Sequence, residues 1–114
     1  MKSHNCIDYV EFPAENLSLV KTFYGKVFGW AFADYGPSYT ATVNAGLDAG
    51  FQADDREAPP KPLIIIYSVD LDHSLETVVD QGGTITKPTF DFPGGRRFHF
   101  KDPSGNELAV WSDK

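Results

Sequence analysis

The chain of 114 residues predicts an α+β protein built from two copies of one βαβββ unit. Asn16-Leu17 opens an apolar helical pattern that ends at Gly29, and Asp70-Leu71 opens a second one that ends at Gly83. Short apolar runs typical of strands flank both patterns. Because a repeated unit of this size buries its apolar surface against its copy, we expect the functional surface in the cleft between the two.

The composition is that of a globular protein, with 41% hydrophobic, 23% charged and 14% aromatic residues. A formal net charge of −6 disfavours binding to nucleic acid phosphates and to anionic membranes. Cys6 is the only cysteine, which excludes an internal disulfide and fits a reducing cytoplasm. No apolar stretch reaches membrane-spanning length, and the N-terminus lacks the apolar core of a signal peptide.

The first unit is expected at about residues 4–53. Cys6 to Phe12 alternates as a strand and Pro13 ends it. Asn16 is a good helix N-cap, and apolar residues at helical spacing predict a helix over residues 17–28, stopped by Gly29. Three strands are expected to follow, at Trp30–Ala33, Tyr39–Val43 and Gly46–Gln52.

A polar, proline-rich linker at residues 54–62 leads to the second unit, at about 63–113, so the whole chain is predicted to form one domain. Leu63 to Tyr67 suggests a strand buried on both faces, although a buried helix also fits so short a run. Asp70 or Asp72 caps a helix that ends at Gly82-Gly83. The inward side chains of this helix are Leu71, Leu75, Val78 and Val79, and strands are expected at Thr84–Lys87, Arg97–Lys101 and Glu107–Trp111.

Three motifs in this order resemble the vicinal oxygen chelate superfamily, which includes glyoxalases, bleomycin-resistance proteins and extradiol dioxygenases. They are Val10-Glu11-Phe12-Pro13 before the first helix, Thr22-Phe23-Tyr24-Gly25-Lys26-Val27-Phe28-Gly29-Trp30 at its end, and Phe100-Lys101-Asp102-Pro103-Ser104-Gly105-Asn106 before the last strand. The resemblance implies that the two βαβββ modules pair into an open eight-stranded half-barrel cup with two outer helices.

The resemblance also implies where a metal would be held, because enzymes of this superfamily use a His, Gln or Glu on the first strand of each module and a Glu on its last strand. Those positions hold Tyr9, Leu63 and Ala109 here, while the last strand of the first module offers only Asp48. Leu and Ala have no donor atom, and a neutral phenol is a poor metal ligand. We therefore expect no metal and no other cofactor, with a site built from Glu11, His99 and Asp48 as the alternative.

Strand alternation predicts which side chains line the cup. They form an aromatic wall with one acidic and one basic cluster, which suits an amphipathic organic molecule better than a bare ion. The candidate ligand-binding residues are Tyr9, Leu63, Tyr67, Arg97, Lys101, Ala109 and Trp111, and the candidate catalytic residues are Glu11 and His99.

Each candidate also has a purely structural interpretation. Tyr9, Tyr67 and Trp111 are also typical of core residues with a polar tip. Glu11 and His99 fit cross-strand charge pairing as well as acid-base chemistry. Pro93–Arg97 resembles a mobile flap with two cations, or else a simple connection.

Two functions follow from these patterns. The first is metal-free binding of a small amphipathic or aromatic molecule, as in bleomycin-resistance proteins. The alternative is a lyase or isomerase, either metal-free with Glu11 and His99 as acid and base or with displaced metal ligands. Exposed sheet edges and a modest core also predict a homodimer.

Overall fold

The computed structural model describes residues 2–114, whose internal contacts form two compact units. One unit is Tyr9–Leu63, and the other joins the N-terminal residues through Asp8 to Ile64–Lys114. The described residues form eight strands and two helices, in the βαβββ order twice. The predicted α+β class and its duplicated module are therefore confirmed.

The first module has its four strands in the order β2-β3-β4-β1, with β1 parallel to β4 and the other pairs antiparallel. Its fourth strand, β4, is shorter than predicted, because residues 46 and 47 form a bend before the ladder begins at Ala49. The elements are β1 (Cys6–Pro13), α1 (Leu17–Phe28), β2 (Phe32–Asp34), β3 (Tyr39–Thr42) and β4 (Ala49–Gln52).

Helix α1 has the bounds that its capping residues predict. The Asn16 side chain accepts a hydrogen bond from the Leu19 N–H at 3.1 Å, and Gly29 takes a left-handed conformation with φ of 73°. On its inner side, Tyr24 stacks on Trp30 at 4.9 Å between ring centroids and contacts Phe51 of β4 at 5.5 Å. Phe51 therefore marks the face of the first module's sheet that α1 covers.

The second module has the strand order β5-β8-β7-β6, with β5 parallel to β8 and the other pairs antiparallel. Residues 63–67 form a strand, which removes the alternative of a buried helix. The elements are β5 (Leu63–Tyr67), α2 (Leu71–Asp80), β6 (Thr84–Phe92), β7 (Gly95–Lys101) and β8 (Glu107–Ser112).

Helix α2 packs on one face of this sheet. Asp70 is its N-cap, accepting a hydrogen bond from the His73 N–H at 3.1 Å. Its core consists of Leu71, Phe98 and Val110, with Ile66, Leu75, Val78, Ile85 and Phe100 packed around them. Val79, predicted to face inward, is 50% exposed instead, because Leu75 and Val78 already supply the inner face.

One further prediction about the second module is wrong. Strand β6 continues five residues past Lys87, to Phe92, with register shifts around Pro88. Of the two interpretations of Pro93–Arg97, the structure shows the simple connection, a tight hairpin in which only Pro93 and Gly94 form the turn. Gly95 already belongs to β7, where an added Cβ would lie 2.1 Å from the Ser112 carbonyl oxygen.

Neither helix within residues 2–114 has the length and apolar character that a membrane crossing requires.

Candidate functional site

The face of the second module opposite α2 carries a row of large side chains across all four strands. The ladder register places Tyr67, Trp111, Arg97 and Phe90 side by side on β5, β8, β7 and β6. The Tyr67 and Trp111 rings are 5.1 Å apart, and the Arg97 guanidinium lies 5.3 Å from the Phe90 ring centroid. The structure thus brings together three of the predicted ligand-binding residues.

Phe92, at the end of β6, extends this row. Its ring is 6.0 Å from that of Trp111 and 5.5 Å from the Arg97 guanidinium. Arg97 therefore lies against two phenylalanine rings, a geometry in which the ring quadrupoles attract its charge. We call Tyr67, Phe90, Phe92, Arg97 and Trp111 the aromatic row.

The polar tips of two of these rings are bound to carboxylates. The Trp111 indole N–H donates to Asp8 at 3.0 Å, and the Tyr67 hydroxyl donates to Asp113 at 2.5 Å. The hydrogen bond to Asp113 raises the pKa of Tyr67 and lowers the pKa of Asp113. Tyr67 is only 3% exposed, so it supports Trp111, whose ring is half-buried.

His99 lies next to this row, with its ring 5.7 Å from that of Phe90. Its Nδ1 is 3.5 Å from a carboxylate oxygen of Glu107, and its buried Nε2 has no hydrogen-bond partner among the described residues. Burial, and then the charges of Arg97 and Lys87, lower the pKa of His99 to about 4. The imidazole is therefore neutral near pH 7, and the Glu107 carboxylate favours the tautomer with the proton on Nδ1.

Lys101 lies apart from the aromatic row. It is exposed at the end of β7, opposite Glu107 in the ladder. Glu107 in turn accepts a hydrogen bond from the Thr86 hydroxyl at 3.0 Å. Of the predicted basic cluster, only Arg97 belongs to the aromatic row.

The first module carries a second cluster, on the face opposite α1. The hydroxyls of Tyr9 and Tyr39 are 2.5 Å apart and form a hydrogen bond. Both lie over Gly50, where an added Cβ would be 2.2 Å from the Tyr9 oxygen and 2.0 Å from the Tyr39 oxygen. Burial raises the pKa of Tyr9, and the carboxylates of Glu11 and Asp48 raise it further. We call Tyr9 and Tyr39 the phenol pair.

The strand registers identify the four positions at which the superfamily resemblance places metal ligands. Within its own module, Glu11 pairs with Gly50 and Ile65 pairs with Ala109. Tyr9 and Leu63 are the first-strand ligand positions of the two modules, and Glu11 and Ile65 each lie two residues later. Gly50, the partner of Glu11, is therefore the counterpart of Ala109, the partner of Ile65. Asp48, the one candidate that the sequence offered for this strand, precedes β4.

The residues at these four positions do not fit a metal ion. Gly50, Leu63 and Ala109 have no side-chain donor atom, and Leu63 and Ala109 are buried at 3% and 0% exposure. Among residues 2–114, no group of three His, Cys, Asp or Glu side chains could hold a metal.

Sequence reasoning missed several members of these clusters. Phe90 and Phe92 were not considered because the predicted strand ended at Lys87, although Thr-Phe-Asp-Phe alternates as a strand does. Tyr39 and Gly50 were not considered because the register that aligns them with Tyr9 is a tertiary feature. No sequence signal indicated that Asp8 would bind Trp111, since the two residues are 103 positions apart.

Comparison with known proteins gives both relatives and fold neighbours. Two proteins named "Putative glyoxylase CFP32", from Mycobacterium bovis and Mycobacterium tuberculosis, are each 30% identical over 115 aligned residues, covering 91% of this chain and 44% of theirs. The chain thus spans less than half the length of these relatives.

Two solved structures share the fold at low identity. A structure described as an NAD-dependent benzaldehyde dehydrogenase from Legionella pneumophila matches with a TM-score of 0.75 and 18% identity, covering 93% of this chain and 98% of that one. The Mn(II)-bound glyoxalase from Novosphingobium aromaticivorans matches with a TM-score of 0.68 and 19% identity, covering 99% of this chain and 40% of that one. At such identities the likeness concerns the fold alone.

The sequence model of one family matches residues 6–110, which is nearly the whole chain. Its two βαβββ modules agree with that assignment. The chain therefore belongs to the glyoxalase/bleomycin resistance protein/dioxygenase superfamily.

Proposed function

We propose that this chain binds a small amphipathic organic molecule that combines an aromatic ring with a polar or acidic group. The observation that carries the proposal is the aromatic row, in which the Arg97 guanidinium lies between rings on one side of a sheet. A flat apolar ligand can stack on the half-buried Trp111, and its acidic group can reach the guanidinium.

Binding requires no metal in this proposal. The glyoxalase from Novosphingobium aromaticivorans is described as Mn(II)-bound. In this chain, the positions at which the superfamily resemblance implies metal ligands hold a tyrosine, a glycine, a leucine and an alanine. A ligand held here is recognised by ring faces, by a guanidinium and by hydroxyls. The net charge of −6 supports a protein that binds neither nucleic acid nor membrane, and the single cysteine supports a cytoplasmic location.

A thermal-shift experiment with ring-matched probes tests this function. Benzoate should raise the unfolding midpoint more than cyclohexanecarboxylate, which lacks the π face, and more than benzyl alcohol, which lacks the charge. Arg97→Gln should remove the advantage of benzoate. Arg96→Gln is the matched control, since Arg96 lies 3.6 Å from Asp72 of α2, on the opposite face. Equal midpoints for all three probes would contradict the proposal.

The alternative function is a lyase or isomerase in which His99 exchanges a proton with the substrate. It is favoured by the neutral imidazole and its carboxylate partner Glu107, a pairing typical of a general base. Glu11, the other predicted catalytic residue, is 7% exposed and lies on β1 opposite Gly50. Because Nε2 of His99 is buried, binding is the function that the geometry supports best.

The enzymatic alternative has its own test. If Nε2 accepts a proton from a carbon next to a carbonyl, a ketone probe such as acetophenone incubated in D2O should exchange its methyl protons, as followed by NMR. This exchange should be lost in His99→Asn and kept in His73→Asn, since His73 lies on the exposed side of α2. Exchange no faster than in buffer would contradict the enzymatic function and leave the binding function in place.

A further inference from the structure

His99 holds a buried hydrogen-bond acceptor next to the aromatic row. The residue is 4% exposed, and its Nε2 has no hydrogen-bond partner elsewhere in the described part of the chain. Its Nδ1 lies 3.5 Å from a Glu107 oxygen that also accepts a hydrogen bond from the Thr86 hydroxyl at 3.0 Å. Because a carboxylate can only accept, the imidazole proton is held on Nδ1, and Nε2 presents a lone pair.

An unpaired acceptor of this kind points to a bound molecule. Most buried polar atoms in folded proteins have a partner, because leaving one unpaired costs free energy. A ligand that brings an O–H or N–H group to Nε2 removes this cost when it binds. The position therefore favours a ligand with a hydrogen-bond donor over one without.

The charges around His99 select the kind of donor. Lys87 of β6 and Arg97 of β7 are cations that act on the imidazole, and Glu107 of β8 lies on its Nδ1 side. Burial, and then these two cations, keep the imidazole neutral by lowering the pKa of His99. The cations also disfavour an ammonium donor beside Nε2. An uncharged hydroxyl is favoured instead, and a phenol is a stronger donor than an alcohol because it is more acidic.

The position of His99 relative to Arg97 indicates where this hydroxyl lies on the ligand. The two residues are two positions apart on one face of β7, which separates their Cα atoms by roughly 6–7 Å. The Phe90 ring contacts both side chains, at 5.7 Å from the imidazole and 5.3 Å from the guanidinium. The Cα separation is comparable to the length of a benzene ring with polar groups at both ends. An acid bound at Arg97 therefore directs a para substituent towards His99.

We propose that Nε2 of His99 accepts a hydrogen bond from a ligand hydroxyl, so that the ligands of this protein are aromatic acids with a phenol hydroxyl para to the acidic group. The proposal rests on the proposed binding function and narrows its ligand class. Because Nε2 is buried in the free chain, rotation of the half-buried Phe90 ring admits the hydroxyl.

Three benzoates test the contribution of the hydroxyl. 4-Hydroxybenzoate donates a hydrogen bond, 4-fluorobenzoate is similar in size and has no donor, and benzoate is the parent compound. Their dissociation constants are measured by titration calorimetry. 4-Hydroxybenzoate should bind about three- to tenfold more tightly than 4-fluorobenzoate, the range expected for one hydrogen bond.

A substitution that removes only the acceptor locates the hydroxyl. His99→Asn should abolish the preference for 4-hydroxybenzoate, because the Asn amide can donate to Glu107 but has no group at the place of Nε2. The affinity for benzoate should change less than about twofold. His73→Asn is the matched control and should keep the preference, since His73 is exposed on α2.

The 15N chemical shift of Nε2 in the wild-type chain gives a readout that needs no variant and that a merely structural role would not move. 4-Hydroxybenzoate should move this shift to lower frequency, as a hydrogen bond to the lone pair does, and 4-fluorobenzoate should not. A shift that already indicates a hydrogen bond in the free chain, and that 4-hydroxybenzoate leaves unchanged, would identify a buried water as the donor and overturn the proposal.

The outcomes distinguish this inference from the function on which it rests. Equal dissociation constants for 4-hydroxybenzoate and 4-fluorobenzoate, or a preference kept in a folded His99→Asn variant, overturn the hydroxyl site. Binding of benzoate then leaves the proposed function intact. If none of the three benzoates binds the wild-type chain, both are overturned.

Discussion

The indole N–H of Trp111 donates a hydrogen bond to the Asp8 carboxylate at 3.0 Å, joining side chains 103 residues apart in the sequence. Asp8 belongs to β1 and Trp111 to β8. The bond fixes the indole ring beside Tyr67 and Phe92, at 5.1 and 6.0 Å between ring centroids. The orientation of Trp111 is therefore set before a ligand binds, so binding does not have to order this side chain.

Replacing Trp111 should weaken ligand binding. We expect Trp111→Ala to cost more than about 1 kcal/mol of benzoate affinity, because stacking on a pre-positioned ring is lost. Tryptophan emission should also change when benzoate binds the wild-type chain. The matched control is Trp30→Phe, since Trp30 is the only other tryptophan and stacks on Tyr24 in the first module. Unchanged affinity in a folded Trp111→Ala variant would place the binding site elsewhere.

The purified protein should contain no stoichiometric divalent metal. Three of the four positions expected to supply ligands are Gly50, Leu63 and Ala109, which have no donor atom. Elemental analysis by inductively coupled plasma mass spectrometry gives the metal content per chain, and treatment with EDTA should leave the unfolding midpoint unchanged. Recovery of about one tightly bound Zn, Mn, Ni or Fe per chain would contradict this prediction.

His99 should make folding stability depend on pH below neutrality. Its pKa is about 4 in the folded chain, below the ordinary value of 6.5, chiefly because burial disfavours the charged imidazolium. Between these values the unfolded chain binds more protons than the folded chain, so acidification favours unfolding. The free energy of unfolding is therefore highest above about pH 6.5, and it falls by up to roughly 3 kcal/mol as the pH approaches 4.

Urea unfolding at pH 7, 6, 5 and 4 measures this dependence. His99→Asn should reduce the slope of unfolding free energy against pH, whereas His73→Asn, on the exposed side of α2, should preserve it. NMR titration of the imidazole protons gives the pKa directly. A value near 6.5 for His99 would show that its burial does not disfavour the charged form.

Gly50 should tolerate no side chain. Gly50→Ala places a methyl group 2.0 Å from the Tyr39 oxygen, so we expect a loss of about 1–3 kcal/mol of stability as the phenol pair is displaced. Gly25→Ala is the control. Gly25 lies within α1, and an added Cβ there would meet only the Trp30 carbonyl oxygen, at 3.5 Å. That variant should be stabilised by up to about 1 kcal/mol through helix propensity. Equal unfolding midpoints for both variants would contradict the claim that the two hydroxyls leave no room for a side chain at residue 50.

A homodimer remains the predicted assembly. Strand β2 lies at one end of the strand order in the first module, and β6 lies at one end in the second. Strand β6 is interrupted by Pro88 and by register shifts that oppose pairing with another strand. The short β2 is therefore the edge better able to pair with a second copy. Light scattering at tens of micromolar should give twice the chain mass of 12.6 kDa. A monomeric mass would contradict the prediction.

The local elements of this protein follow from its amino-acid sequence alone. Asn16 and Gly29 set the ends of α1, because a cap and a left-handed glycine act within one helical turn. Alternation placed Phe98 beneath α2 and Arg97 on the other face, because side chains along a strand point in opposite directions. The absence of donors at Leu63 and Ala109 was also readable, since side-chain chemistry does not depend on the fold.

The tertiary structure decided which of these residues meet. Phe90 reaches Arg97 only because β6 continues past Pro88 and pairs with β7, and no local signal sets that register. Tyr9 and Tyr39, which are 30 residues apart in the sequence, meet over Gly50 because β1 and β3 both lie beside β4. Local propensity extends over a few residues, whereas strand pairing and burial depend on the whole chain, and so the positions of the candidate site emerged only from the fold.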